Sequence, residues 1–268
     1  MKKLMTVLML IGVLLAGSAT VEAKTTTKRK STTTKKKTTS VLPVTKGEIK
    51  KYGDYLTTQV FSIKKGKDNK VTIEYPIAGN EALVNAIRQS IKNSLDDKFT
   101  GSLQTPEALL RSVMKGKKDM EFGMEGESLE EDIFVKYHSP NIITYEDSGY
   151  SYMGGAHGIG WVTGNTFLVD NGEIFDISML PDFSKMRPYI MEGIARNFDV
   201  EVYKLNDYLF NPDEVDYSDT YIITPEGITF IYQPYEIADF ATGIMKATVP
   251  VTNEVLNMLT PEGREFFK

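Results

Sequence analysis

The chain has 268 residues, no cysteine, two histidines and a formal net charge of −5. Without cysteine there is neither a disulfide framework nor a lipoprotein thiol, and two histidines alone leave a zinc site short of ligands. From Val41 onward, 22 basic and 35 acidic residues give a net charge near −13, which excludes the basic face that nucleic acid requires.

In chain order, the N-terminus reads as a secretory signal. Lys2 and Lys3 are followed by an apolar or small run, Leu4 to Ala16, too short for a comfortable membrane span. Val21-Glu22-Ala23 is a small-x-small cleavage site, so the mature chain is expected to start at Lys24, with no transmembrane segment, and to be secreted or periplasmic. An uncleaved anchor is the alternative. Residues 24–40, KTTTKRKSTTTKKKTTS, hold seven basic residues and no acidic or apolar side chain. Such a segment cannot bury enough surface to offset its ordering entropy, and reads as a disordered tether. It is either a solvated spacer or an adhesive for anionic wall polymer or lipid headgroups.

The remaining 228 residues suffice for one large or two small domains. Tyr55 to Ile63 and Lys70 to Ile77 are rich in β-branched and aromatic residues around a polar turn, and read as an antiparallel pair. Asn80 is the expected cap of a helix whose Leu83, Ala86, Ile87, Ile91 and Leu95 recur at helical spacing. Thr105-Pro106-Glu107 opens a shorter helix, with Thr105 as cap.

From Ile133 the period changes to two, giving strands at 133–137 and 141–145. Asn171-Gly172 predicts a hairpin with a two-residue type I′ turn between 166–170 and 173–177. A helix is expected near Ser184 to Phe198. Tyr221–Thr224 and Ile228–Tyr232 flank a Thr-Pro-Glu-Gly turn; a strand follows over 243–251, then two short terminal helices. Strands cluster and helices interrupt them singly, so the fold class is α+β, mostly antiparallel sheet with a few interspersed helices. The expected organisation is a signal peptide (1–23), a tether (24–40), an N-terminal α+β subdomain (41–148) and a C-terminal α+β domain (149–268).

The stretch Tyr150-Ser-Tyr-Met-Gly-Gly-Ala-His-Gly-Ile-Gly-Trp161 concentrates four glycines, the only tryptophan and one of the two histidines. Tyr150, Tyr152, Gly154, Gly155, His157, Gly158 and Trp161 are the candidate binding residues. At least one of Gly154, Gly155 and Gly158 is expected at positive φ, where a β-carbon is costly. Tyr150, Tyr152 and Trp161 offer either an aromatic platform or core packing. His157 is either a hydrogen-bonding strut or a general base, and no Gly-x-Ser-x-Gly elbow accompanies it. Gly158-Ile-Gly160-Trp-Val-Thr-Gly164 departs from the dinucleotide fingerprint. Residues 206–219 are rich in oxygen ligands but lack EF-hand spacing. No catalytic residue, metal or cofactor is assigned.

Tyr152-Met-Gly-Gly-Ala-His-Gly158, Gly164-Asn-Thr-Phe167, Tyr221 to Gly227 and Pro234-Tyr-Glu-Ile-Ala238 followed by Gly243 resemble a bacterial extracytoplasmic domain of unknown function. That domain is the C-terminal module of the lysozyme-sensing anti-sigma-V factor and accompanies some peptidoglycan deacetylases. The resemblance covers Ile174 to Leu259, and Tyr150 to Asn165 by motif; residues 46–145 look like the smaller domain that precedes it. It lacks the sigma-binding segment and the deacetylases' metal-dependent domain. The resemblance therefore implies an exported, non-catalytic binding module. Its expected partner is lysozyme or another basic protein, or cell-wall glycan. A wall-active hydrolase or deacetylase using His157 is the alternative.

Overall fold

The computed structural model describes residues 41–119 and 127–268. The signal and tether lie outside the described residues. Val41–Lys268 forms one compact unit.

Six strands build the first sheet in sequence order: β1 (Val44–Tyr52), β2 (Leu56–Lys65), β3 (Asn69–Gly79), β4 (Ser128–His138), β5 (Ile142–Tyr152) and β6 (Ile159–Leu168). All neighbours are antiparallel except β3 and β4. A parallel pair needs a crossover, and α1 (Glu81–Leu95) and α2 (Glu107–Asp119) lie between those two strands in the chain. As expected, Asn80 caps α1: its side chain accepts from the amides of Ala82 and Leu83, at 3.0 and 3.3 Å, a contact typically worth roughly 1 kcal/mol. The Pro106 carbonyl, not that of Thr105, accepts the bond from Leu110 N–H that opens α2.

The helices cover one sheet face. Ile87 and Ile91 of α1 and Leu109, Leu110 and Met114 of α2 join Phe61, Ile73, Tyr75 and Ile133 in the first core. Edge strand β1 was not foreseen. Most of its exposed residues are polar, Ile49 excepted, and its few apolar residues, Val44, Ile49 and Tyr52, do not alternate. It is tied down by Glu74, a fully buried carboxylate that accepts from Tyr52 (2.5 Å), Thr58 (2.7 Å) and Lys50 (3.2 Å).

The second sheet is β7 (Tyr221–Thr224), β8 (Gly227–Tyr232) and β9 (Met245–Val249), all antiparallel. Helix α3 (Phe183–Phe198) packs on β9, and its Met186, Ile190 and Ile194 meet Phe230, Tyr232 and Ala247 in the second core. The two expected terminal helices, α4 (Asn253–Met258) and α5 (Pro261–Glu265), are capped by the Thr252 and Thr260 side chains, which accept from Val255 N–H and Gly263 N–H.

Strands β5 and β6 serve both cores. Ile143 and Phe167 face the helices, whereas their neighbours Ile142 and Leu168 face the second core, as a period of two requires. Thr144 Oγ1 donates to the Ile223 carbonyl (2.8 Å), and Thr166 Oγ1 accepts from Ile223 N–H (2.9 Å), so β7 is bonded across that face. The division expected after residue 148 falls within β5.

The type I′ turn at Asn171-Gly172 is corrected. Only Gly172 has positive φ (73°), and Asn171 instead accepts a bond from Glu173 N–H through its side chain. Leu168 N–H bonds the Glu173 carbonyl around a four-residue loop, and pairing continues only as a bridge between Phe167 and Ile174. The side-chain bond offers Asn171 a local alternative to the left-handed conformation.

Candidate binding site at the glycine-rich turn

Residues 153–158 carry the chain from the end of β5 to the start of β6. Gly154 and Gly155 have φ of 90° and 97°, as the sequence predicted. Gly158 is needed for space instead. A β-carbon there would stand 2.5 Å from the Ser151 carbonyl oxygen and closer still to the Tyr150 hydroxyl.

The turn holds two aromatic rings. Gly158 N–H donates to Tyr150 Oη (3.1 Å), and Tyr152 Oη donates to the Gly155 carbonyl (2.9 Å). Two residues apart on β5, these tyrosines share the face away from the helices. Tyr150 remains 46% exposed. Trp161 does not join them, which corrects the three-ring platform. It pairs opposite Gly149, so it points to the helix face, is partly buried against the first core, and donates from Nε1 to Asp147 (3.3 Å). Burial raises the Asp147 carboxyl above its ordinary value, and the bonds from Ser94 and Trp161 oppose that shift.

His157 behaves as a strut. Its Nδ1 lies 3.0 Å from the Gly158 carbonyl, which makes Nδ1 the donor, and its ring stacks on Phe240 with centroids 3.8 Å apart at 22°. The Tyr235 ring follows at 5.6 Å from Phe240. Tyr235 is 49% exposed and has φ of 70°, a conformation that costs a non-glycine residue about 1–3 kcal/mol and clusters at functional sites. Asp239 fixes the 3₁₀ turn under Phe240 by accepting from Thr242 N–H (2.9 Å) and Oγ1 (2.8 Å). Gln233 anchors the same segment: its Nε2 donates to the Val162 carbonyl (2.7 Å) and its Oε1 accepts from Val162 N–H (3.2 Å), as a strand would on the edge of β6. The result is an aromatic series, His157, Phe240 and Tyr235, beside two fixed tyrosines.

His138 lies elsewhere. It ends β4 opposite Ile143, at the far end of β5 from the turn, with Tyr52 edge-on at 5.0 Å. In the 206–219 stretch, Asn211 and Asp216 bond neighbouring backbone amides. Among the described residues, no group of three or more His, Asp or Glu side chains gathers to hold a metal, and no helix is long and apolar enough to cross a membrane.

Phe240 and Gln233 were missed from sequence. Residues 233–243 have no apolar period, and only the Pro234-Tyr-Glu-Ile-Ala238 string marked the segment.

Residues 176–252 match the family model described as "Protein of unknown function (DUF3298)", and residues 63–160 match "Deacetylase PdaC". The C-terminal part of the chain is thus similar to a domain family of unknown function. A DUF3298-family protein from Bacteroides fragilis NCTC 9343 has a similar structure, at 15% identity and a TM-score of 0.61, over 78% of this chain and 96% of that one. A DUF3298-family protein from Pseudomonas aeruginosa PAO1 is similar at 15% identity and a TM-score of 0.51, over 82% of this chain and 95% of that one. At such identity the likeness concerns the fold. No curated protein matches. The Tyr150–Gly158 motif falls in the 63–160 match rather than in the DUF3298 match. The stack of His157 on Phe240 therefore joins one residue from each matched segment.

Proposed function

We propose that the protein is an exported, non-catalytic binding module of the bacterial cell envelope, with lysozyme or cell-wall glycan as partner. The carrying observation is the aromatic series His157–Phe240–Tyr235, built where the two family-matched segments meet. In this series His157 and Tyr235 are exposed, and the half-buried Phe240 is in ring contact with both; aromatic rings already ordered by packing are good binding anchors, because little conformational freedom is lost on contact. His157 is occupied by packing and by its neighbour's carbonyl, which favours a strut over a general base. The signal-like N-terminus supports export, and the deacetylase name of the N-terminal match supports work on the envelope. The anti-sigma-V resemblance of the motifs supports lysozyme as a partner, as does a charge near −13, which speeds encounter with a basic protein.

Purified protein is incubated with lysozyme beads and with insoluble peptidoglycan, at low and high salt. Retention on either supports the module, and retention that salt abolishes on lysozyme alone selects the protein partner. Retention on neither refutes the reading. So does release of acetate or sugar that His157→Ala abolishes.

A further inference from the structure

The segment that follows α3 displays apolar side chains in an acidic setting. Residues 199–219 hold seven acidic residues and a single base, Lys204, a net charge of −6 within a folded part near −13. All seven carboxylates are exposed, and among the described residues their only salt bridge joins Arg187 to Asp213 at 3.9 Å. Between them, Tyr203 is 73% and Phe210 64% exposed, and Val202 and Tyr208 are exposed as well.

Bonded backbone holds these side chains out. Leu205 and Leu209 are buried in the second core and anchor the segment from within. Leu209 N–H bonds the Leu205 carbonyl (2.9 Å), Phe210 N–H bonds the Ile237 carbonyl (3.0 Å), and the Tyr208 ring stacks on Phe198 with centroids 4.4 Å apart. Val202–Asp207 is a 3₁₀ helix, so its six residues span only about 12 Å. Large exposed apolar side chains crowded together and rimmed by polar groups mark an interaction surface.

Charge decides what covers it. A second copy docking by the same face would set these carboxylates against one another. An anionic lipid surface would be repelled, and insertion into a neutral one would take Asp207 out of water beside Tyr208. A wholly polar cation would leave the rings uncovered. A cationic amphipathic helix meets both demands: its apolar face covers Tyr203 and Phe210, and its basic side chains meet the carboxylates. Lys204 already lies over the Tyr203 ring, 5.8 Å from its centroid, so a ring face here accepts an ammonium. We propose that the surface of residues 199–210 docks a short cationic amphipathic peptide. The ligand is neither the glycan nor the lysozyme of the preceding reading, and the proposal stands without it.

The test is fluorescence anisotropy of a labelled helical lysine–leucine peptide titrated with the full chain, beside a lysine–serine peptide of the same length and charge. The amphipathic peptide should bind at least about tenfold more tightly, and its affinity should fall as salt rises. Tyr203→Ala and Phe210→Ala should each weaken it about tenfold and leave the lysine–serine peptide unaffected. Their melting temperatures should not change, since neither side chain belongs to a core. Equal affinity for the two peptides, an affinity indifferent to salt, or wild-type binding in both variants would overturn the proposal. So would a wild-type dimer in sedimentation, or retention on phosphatidylcholine vesicles, that Phe210→Ala abolishes, because a second copy or a lipid surface would then be what covers the patch.

Discussion

Gly158→Ala is the substitution that probes the turn most sharply. The added methyl would overlap the Tyr150 hydroxyl and stand 2.5 Å from the Ser151 carbonyl oxygen. A tyrosine ring can swing away, but Ser151 is backbone of β5, paired with Leu129 and Ile159. The strand or the turn must therefore shift. Overpacking of this kind costs about 1–3 kcal/mol. For a folded part of this size, about 2 kcal/mol corresponds to a melting temperature lower by about 4–8 °C. Gly155→Ala supplies the contrast. Nothing lies within 4 Å of its added methyl, but its φ is 97°. Only backbone strain remains, about 1 kcal/mol, or about 2–4 °C. Thermal unfolding followed by circular dichroism measures both, and fluorescence of Trp161, the single tryptophan, reports whether the β5–β6 pair moves. Combining Gly158→Ala with Tyr150→Ala should recover part of the loss, because one of the two clashes is gone. A Gly158→Ala protein as stable as wild type, or less affected than Gly155→Ala, would refute the reasoning.

Burial holds the Asp147 carboxyl above its unfolded-state value, so the folded protein binds that proton more tightly. Wild type should therefore gain stability relative to Asp147→Asn as pH falls through the raised folded-state value, with the gain complete below the ordinary value of 3.8, and lose it as pH rises. Urea midpoints of the pair across acidic pH check the sign; a difference that does not move with pH contradicts it. Glu74→Ala removes the acceptor of Tyr52, Thr58 and Lys50 and should cost about 3 kcal/mol, measured by urea unfolding, since it leaves several donors uncompensated. The exported chain should begin at Lys24, as read by mass spectrometry of the extracytoplasmic fraction; a chain retaining Met1 in the membrane fraction selects the uncleaved anchor.

The elements legible in the sequence are those that carry their own pattern. β2 and β3 alternate, α1 announces its cap at Asn80, and α3 repeats its apolar residues at helical spacing. Edge strand β1 pairs with the adjacent β2 but has no apolar alternation of its own, and its side-chain anchors, Lys50 and Tyr52, reach Glu74 more than twenty residues away, so no local pattern marks it. The glycine-rich turn was visible because its composition is extreme. Its ring partner was not: Phe240 reaches His157 across 83 residues of sequence, and only the fold brings them together. For Trp161 the sequence left platform and core packing both open, because composition does not give the register of β5 against β6; the structure packs it against the first core. The one-residue offset from the partner of Tyr150, Gly160, sends the indole to the opposite side.

The central claim is that the aromatic series at the junction of the two matched segments makes contact with the partner. Co-sedimentation with peptidoglycan and retention on lysozyme beads, compared between wild type and Phe240→Ala at matched melting temperature, tests it most directly. Removing Phe240 takes away the ring between His157 and Tyr235, and the affinity for whichever partner is retained should fall about tenfold or more, as for a buried aromatic anchor. Undiminished binding by a folded Phe240→Ala protein would contradict the account.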